Sequence, residues 1–197
     1  MRAAFNTRRV RMICVQAEIA LIAAIVTIIG WLVTHILQVR RDEGRRRVDA
    51  LLRFTERQLD ELYGPLALLV VEGRRTYLDL LDVVGRDKVF QDGQDLSPTD
   101  LAAWMFWAEN DFIPRNEKIK QLLITKTHLI EGTSLPESYL RFLNHHNSWI
   151  IQHLRWKRDG VAYSWHSRID WPKEFETDVL NTFAALKVRH TELIKRL

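Results

Sequence analysis

Three histidines raise the first chemical possibility. His146 and His153 are seven residues apart in "HHNSWIIQH", and His190 follows near the end of the chain. Each falls on the apolar face of a stretch with helical periodicity. Neutral imidazoles so placed bind a metal when a carboxylate faces them. The spacing argues otherwise. Ligands that share one ion from one helix stand three or four apart, as in HExxH, whereas seven helical residues span about 10 Å. Core-edge histidines bonded to backbone carbonyls are the better account. "HHNSW" and "SWHSRID" also bring Ser, His and Asp close in sequence, and a hydrolase built there would draw on His166, Asp170 and the 145–153 histidines. Such an enzyme needs its serine on a strained turn, and nothing like GxSxG is present. The eight glycines form no phosphate loop. "RDKVFQDGQDLSPTD" (86–100) offers oxygen ligands, but it lacks the spacing and closing Glu of a calcium loop and reads as a solvated connection. No catalytic residue, metal or cofactor is predicted.

The aromatic residues point to binding instead. "WMFWAENDFIP" sets Trp104 and Trp107 three apart on one helical face, followed by Phe112. Packing between helices is the ordinary use of such a pair. Tyr163, Trp165 and Trp171 crowd a stretch that a helix stripe would not easily bury. These three are the expected partner surface, with Trp104 and Trp107 as its second part, because aromatic anchors dominate interface energetics.

The elements that must hold these residues read as helices. Pro65, Pro98, Pro114, Pro136 and Pro172 each precede or open a stretch with helical spacing, the position where a missing N–H costs least. Helices are predicted over 66–84, 98–110, 115–130, 136–158 and 172–196. Ser97 and Asp170 serve as N-caps and Gly85 and Gly160 as C-terminal stops. The inner stripe of 136–158 is Tyr139, Phe142, Leu143, Trp149, Ile150 and Leu154. That of 172–196 is Phe175, Val179, Phe183, Leu186, Leu193 and Leu197. Only "VAYSWHSRI" (161–169) alternates like extended chain, which predicts a crossing loop or a short β-hairpin arm. The expected fold class is all-α.

Ahead of this bundle lies a different kind of segment. Ile19 to Leu37 holds no Asp, Glu, Lys or Arg, and at 1.5 Å per residue it covers about 28 Å, close to the hydrocarbon thickness of a bilayer. Thr27 and Thr34 can bond to carbonyls one turn back, and Trp31 and His35 suit the interface. Four Arg precede the run and five follow within 40–47. A signal peptide would be shorter and end in a small-residue cleavage site, so a retained transmembrane helix is predicted. Its boundaries are Ile19, Trp31, Leu37, Arg40 and Arg41. The flanking counts are close, and the denser block after the run places the C-terminal domain in the cytoplasm, the opposite orientation being the alternative.

Between anchor and bundle, Val48, Leu52, Thr55, Leu59 and Leu62 are spaced four, three, four, three, as in a coiled-coil seam. They predict either a parallel homodimer or a helix that packs this stripe on its own domain. Gly64-Pro65 should kink or break that helix. The expected organisation is therefore a basic tail (1–18), a transmembrane helix (19–37), a charged stalk (38–64) and a water-soluble helical domain (65–197).

Charge and cysteine agree with this division. Residues 1–47 carry nine Arg against three acids, whereas 48–197 hold 20 bases and 22 acids, so the basic character belongs to the membrane flanks. Nucleic acid is not an expected partner, since a folded domain needs a basic face to bind phosphates. Cys14 is the single cysteine, which excludes an internal disulfide and fits a reducing compartment.

The stretches "ERQLDELYGPLALL", "FIPRNEKIKQLL", "HLIEGTSLPESYLRFLNH" and "WPKEFETDV" resemble uncharacterised bacterial single-pass membrane proteins with an Arg-rich stalk, an LYGPL motif and a helical C-terminal domain. The likeness implies an inner-membrane architecture and no chemistry. Residues matching the pattern include Leu62, Tyr63, Gly64, Pro65, Leu66, Pro114, Asn116, His128, Leu129, Ile130 and Pro172. The expected function is that of a membrane-anchored protein with a cytoplasmic protein-interaction domain, whose partners are lipid and either another protein or a second copy. The alternative is a membrane-associated sensor or stress effector that changes oligomeric state on binding a ligand.

Overall fold

The computed structural model describes residues 2–90, 96–162 and 164–197, with side chains described from Thr27 onward. Among the described residues every regular element is helical. The order is α1 (Arg2–Gln58), a π-turn (Leu59–Tyr63), α2 (Gly64–Val84), α3 (Pro98–Trp107), a second π-turn (Ala108–Phe112), α4 (Ile113–Thr125), a 3₁₀ turn (Thr127–Leu129), α5 (Glu137–Asp159) and α6 (Lys173–Ile194). The chain divides into two compact units, residues 1–51 with Leu197 and residues 52–196.

In the first unit, α1 is apolar and exposed over the described part of the expected span. Trp31 stacks on His35 with ring centroids 5.4 Å apart, and the Thr34 hydroxyl donates to the Gly30 carbonyl at 2.8 Å. Residues 19–26 lie outside the described side chains. Among the described residues no helix is long and apolar enough to cross a membrane.

The second unit begins at Leu52 and takes in the lower stalk. Of the stripe, Thr55 and Leu62 are fully buried against the unit's own helices and Leu52 and Leu59 are half-buried, and Gln58 beside the stripe is fully buried too. One core joins Leu62, Tyr63, Leu66 and Val70 to Ile119, Phe142, Phe175 and Val179. Phe142 and Phe175 stack at 4.5 Å. A second core gathers Leu80, Val89, Trp104, Phe112 and Trp149. Each large apolar side chain removed from water in this way contributes about 1.5–3 kcal/mol.

Gly64-Pro65 does not break the helix. Gly64 keeps helical dihedrals (φ −63°, ψ −55°) and its N–H donates to the Leu59 carbonyl, five residues back. The same device precedes Pro114, where the Ile113 N–H reaches the Ala108 carbonyl. Proline removes the donor that an α-helix would require one turn further on, and a π-turn absorbs the loss by adding one residue to the turn. Pro114 therefore continues a helix rather than starting a separate one. The extra residue also sets the packing. Gln58, Leu62, Leu66 and Val70 are buried at steps of four, as are Trp104, Ala108, Phe112 and Asn116. In an uninterrupted α-helix three such steps would drift about 120° off the core.

Most helix ends follow the sequence, but α4 stops at Thr125 rather than near residue 130, where a 3₁₀ turn takes over. Gly85 (φ 66°) and Gly160 (φ 65°) close α2 and α5 in the left-handed conformation that glycine adopts without strain. The Ser97 hydroxyl accepts the Asp100 N–H at 3.1 Å. Asp170 is not a cap: α6 starts at Lys173 with Pro172 at the N-cap, too far along for the Asp170 carboxylate to reach. The described residues of 161–170 form a loop without a strand, so the crossing loop, not a hairpin arm, connects α5 to α6.

Candidate functional site

The face of α3 and α4 that meets α5 concentrates the polar and aromatic residues of interest. The steps of four from Trp104 to Asn116 turn their side chains towards α5, and α5 answers with Phe142, His146, Trp149 and His153. His146 is fully buried and its Nε2 lies 2.8 Å from Glu117 Oε2. One helical stretch further, His153 Nε2 lies 3.1 Å from Glu109 Oε1, which also takes Lys157 Nζ at 3.1 Å. The antiparallel helices thus carry two His–Glu rungs. A ring nitrogen facing a carboxylate must bear the proton, so Nε2 donates in both rungs. The partners are carboxylates, not the backbone carbonyls expected from sequence. His190, expected on the inner stripe of α6, is half-buried and faces Glu56 at 3.5 Å.

Three groups on this face, His153, His145 and Glu117, titrate away from their ordinary values for identifiable reasons. Burial pushes His153 down, against the opposing pull of Glu109. Burial likewise pushes His145 down, partly offset by its bond to the Ile169 carbonyl. Glu117 is lowered by the amide of Gln121 and then by His146. On the opposite side of α4, Arg115 is buried with its guanidinium on Asp111 and Thr76. It passes over Gly73, where an added Cβ would meet Nη1 at 2.8 Å. Glycine there makes room for a buried cation.

The 161–170 loop is fastened to α5 and α3. The Trp104 indole N–H donates to the Trp165 carbonyl at 2.7 Å. Trp165 holds a left-handed φ of 65° that costs a non-glycine residue energy, and its ring meets Trp156 edge-on at 4.7 Å. The Ser167 hydroxyl donates to the His145 carbonyl at 3.0 Å. His145 Nδ1 donates in turn to the Ile169 carbonyl at 2.6 Å. His166 lies against the Phe90 ring, and Asp170 is exposed. The structure therefore places Ser167, His166 and Asp170 on separate duties and does not assemble them into a nucleophile–base–acid relay. Among the described residues no group of three His, Cys, Asp or Glu side chains converges as metal ligands would.

The candidate partner residues take distinct positions. Trp104 lies inside the second core, stacked on Trp149 at 5.6 Å. Trp107 and Trp165 sit half-buried at its edge. Trp171 is 36% exposed and packs edge-on against His145 and Phe142. Tyr163 lies outside the described residues. Two exposed groups were not anticipated from sequence: Phe106, which turns outward between the two tryptophans at 64% exposure, and the pair Ile151 and Leu154. Leu154 faces solvent, not the core, because His153 occupies the inward position of that turn. His153 already falls on the apolar face in the sequence pattern, and a stricter 3.6-residue count from Trp149 would have placed Leu154 outside it.

No known protein family matches this chain, and neither a curated protein nor a solved structure is similar to it.

Proposed function

We propose that this chain is a single-pass membrane-anchored protein of the bacterial inner membrane, whose helical unit is held in the cytoplasm as a protein-interaction module without catalytic machinery. One observation carries the reading. From Ile28 to Val39 the apolar side chains of α1 project around most of its circumference, and all are exposed to solvent. At about 100° per residue, Ile28, Ile29, Trp31, Leu32, Val33, Ile36, Leu37 and Val39 leave one gap of about 120°. Thr27, Gly30, Thr34 and Gln38 fill that gap. A surface helix shows one apolar stripe, whereas a helix apolar nearly all round requires a non-aqueous surrounding. The eight uncharged residues before Thr27 extend the run to bilayer length.

The cytoplasmic placement rests on the dense arginine block at 40–47. The interaction role rests on Trp171, Ile169 and Phe106, which remain exposed on a bundle with two filled cores. The decisive test fuses a reporter after Leu197 and follows the membrane fraction through alkaline carbonate. Retention in the carbonate pellet with cytoplasmic reporter activity is expected. Release into the supernatant would refute the anchor, and periplasmic activity would refute the orientation. A photo-crosslinking residue at Trp171 should then yield a discrete adduct, either with a second copy or with another protein.

A further inference from the structure

The five arginines between 40 and 47 do not lie on one face of α1. Taking Arg40 as origin and about 100° per residue, Arg41, Arg45, Arg46 and Arg47 stand near 100°, 140°, 240° and 340°. No gap in the ring exceeds about 100°. A helix that lies flat on a membrane gathers its cations on one side. A collar that encircles the helix fits one that passes through the headgroup layer. The collar also declines its local partners. Asp42 and Arg46, and Glu43 and Arg47, have the i, i+4 spacing at which ion pairs form on helices. Yet among the described residues none of the five guanidinium groups makes an ion pair or hydrogen bond, and all five residues are exposed.

The tiers match the depth of a headgroup layer. Arg40 and Arg41 stand about 5 and 6 Å beyond Leu37 along the axis, inside a headgroup region about 5–8 Å thick per leaflet. Arg45 to Arg47 follow at about 12–15 Å, within a Debye length of about 8–10 Å from that surface. A planar fork of donors pairs with phosphate oxygens in two-pronged fashion.

We infer that Arg40, Arg41, Arg45, Arg46 and Arg47 form a collar that selects anionic phospholipid headgroups around α1. The inference rests on the anchor reading above. The test reconstitutes the full chain in vesicles of phosphatidylcholine with a minor fraction of phosphatidylglycerol. Spin-labelled lipids report which species occupy the shell around the protein. The wild type should enrich phosphatidylglycerol about threefold or more, and the enrichment should fall with added salt. Replacing all five with Gln should bring the ratio to parity while the protein stays resistant to carbonate extraction. Replacing all five with Lys should keep most of the enrichment. Parity in the wild type, or enrichment untouched by the Gln variant, would overturn the collar and leave the anchor standing. Tight binding of duplex DNA to the reconstituted protein, abolished by the same Gln variant, would reassign the collar to nucleic acid and also overturn it. Loss of the wild type from the vesicles under carbonate would overturn both readings.

Discussion

Gly64→Ala tests the π-turn at the head of α2. In most helix interiors this change stabilises by about 1 kcal/mol, because alanine loses less backbone entropy. Here the new Cβ would stand 2.6 Å from the Leu59 carbonyl oxygen and 3.7 Å from its carbon, both backbone atoms that cannot swing aside. Relief requires opening the turn. That removes the Gly64 N–H to Leu59 bond, about 1 kcal/mol, and rotates Gln58 and Leu62 out of their fully buried sites. Partial loss of those contacts costs about 2–3 kcal/mol more. Net of propensity, the variant should be about 2–3 kcal/mol less stable, or about 5–10 °C lower in Tm for a unit of this size. Thermal unfolding followed by near-ultraviolet circular dichroism of the solubilised full chain reads the shift. Gly44→Ala is the control, since nothing lies within 4 Å of its Cβ. An unchanged or raised Tm in Gly64→Ala would show that the turn does not depend on glycine and would refute the steric argument.

Three further outcomes follow from the site. Acidification from pH 7 towards 5 should weaken the bundle, because His145 and His153 have folded pKa values below the unfolded value of 6.5. The unfolded chain then binds more protons, and stability present above 6.5 is lost as pH falls, at no more than about 1.4 kcal/mol per pH unit for each histidine. Denaturant midpoints at pH 5, 6 and 7 should shift accordingly, and the slope should be shallower in His153→Gln. Arg115→Leu should cost about 2–4 kcal/mol by chemical denaturation, since it removes the buried guanidinium that pairs with Asp111 and bonds the Thr76 hydroxyl. Gly73→Ala in that background should be tolerated better than in the wild type, where it meets the guanidinium. Trp104→Phe removes the bond to the Trp165 carbonyl. It should cost about 1–3 kcal/mol and raise amide exchange across 164–169, which mass spectrometry resolves.

Much of the helical order was legible because prolines and glycines mark it. Ser97-Pro98, Gly85 and Gly160 sit where their backbone preferences place them, and the helix limits follow. The inner stripe of α6 was equally readable through Phe175, Val179, Leu186 and Leu193. The π-turns were not. Their signal is a four-residue step in the apolar pattern just before an X-Pro pair, and a heptad count averages that step away. The site was less legible still. His146 and His153 could be placed on one face of α5, but Glu109 and Glu117 belong to another helix, and pairing across helices depends on register that periodicity does not contain. The anchoring of the 161–170 loop by Ser167 and Trp104 has the same character, because a hydroxyl or indole bonded to a distant carbonyl leaves no periodic trace.

The paired π-turns constrain how this chain can vary in length. Each five-residue window, 59–63 and 108–112, carries one residue more than an α-turn needs. Deleting one residue there would leave each buried row at steps of three, four and four, and about 11 residues of ordinary α-helix return to within about 20° of the same face, so the row would stay buried. A one-residue gap inside these windows therefore leaves the core in place, whereas a gap beyond them would turn the residues that follow by about 100°, so relatives of this chain should place any gap in 59–70 or 108–123 within 59–63 or 108–112.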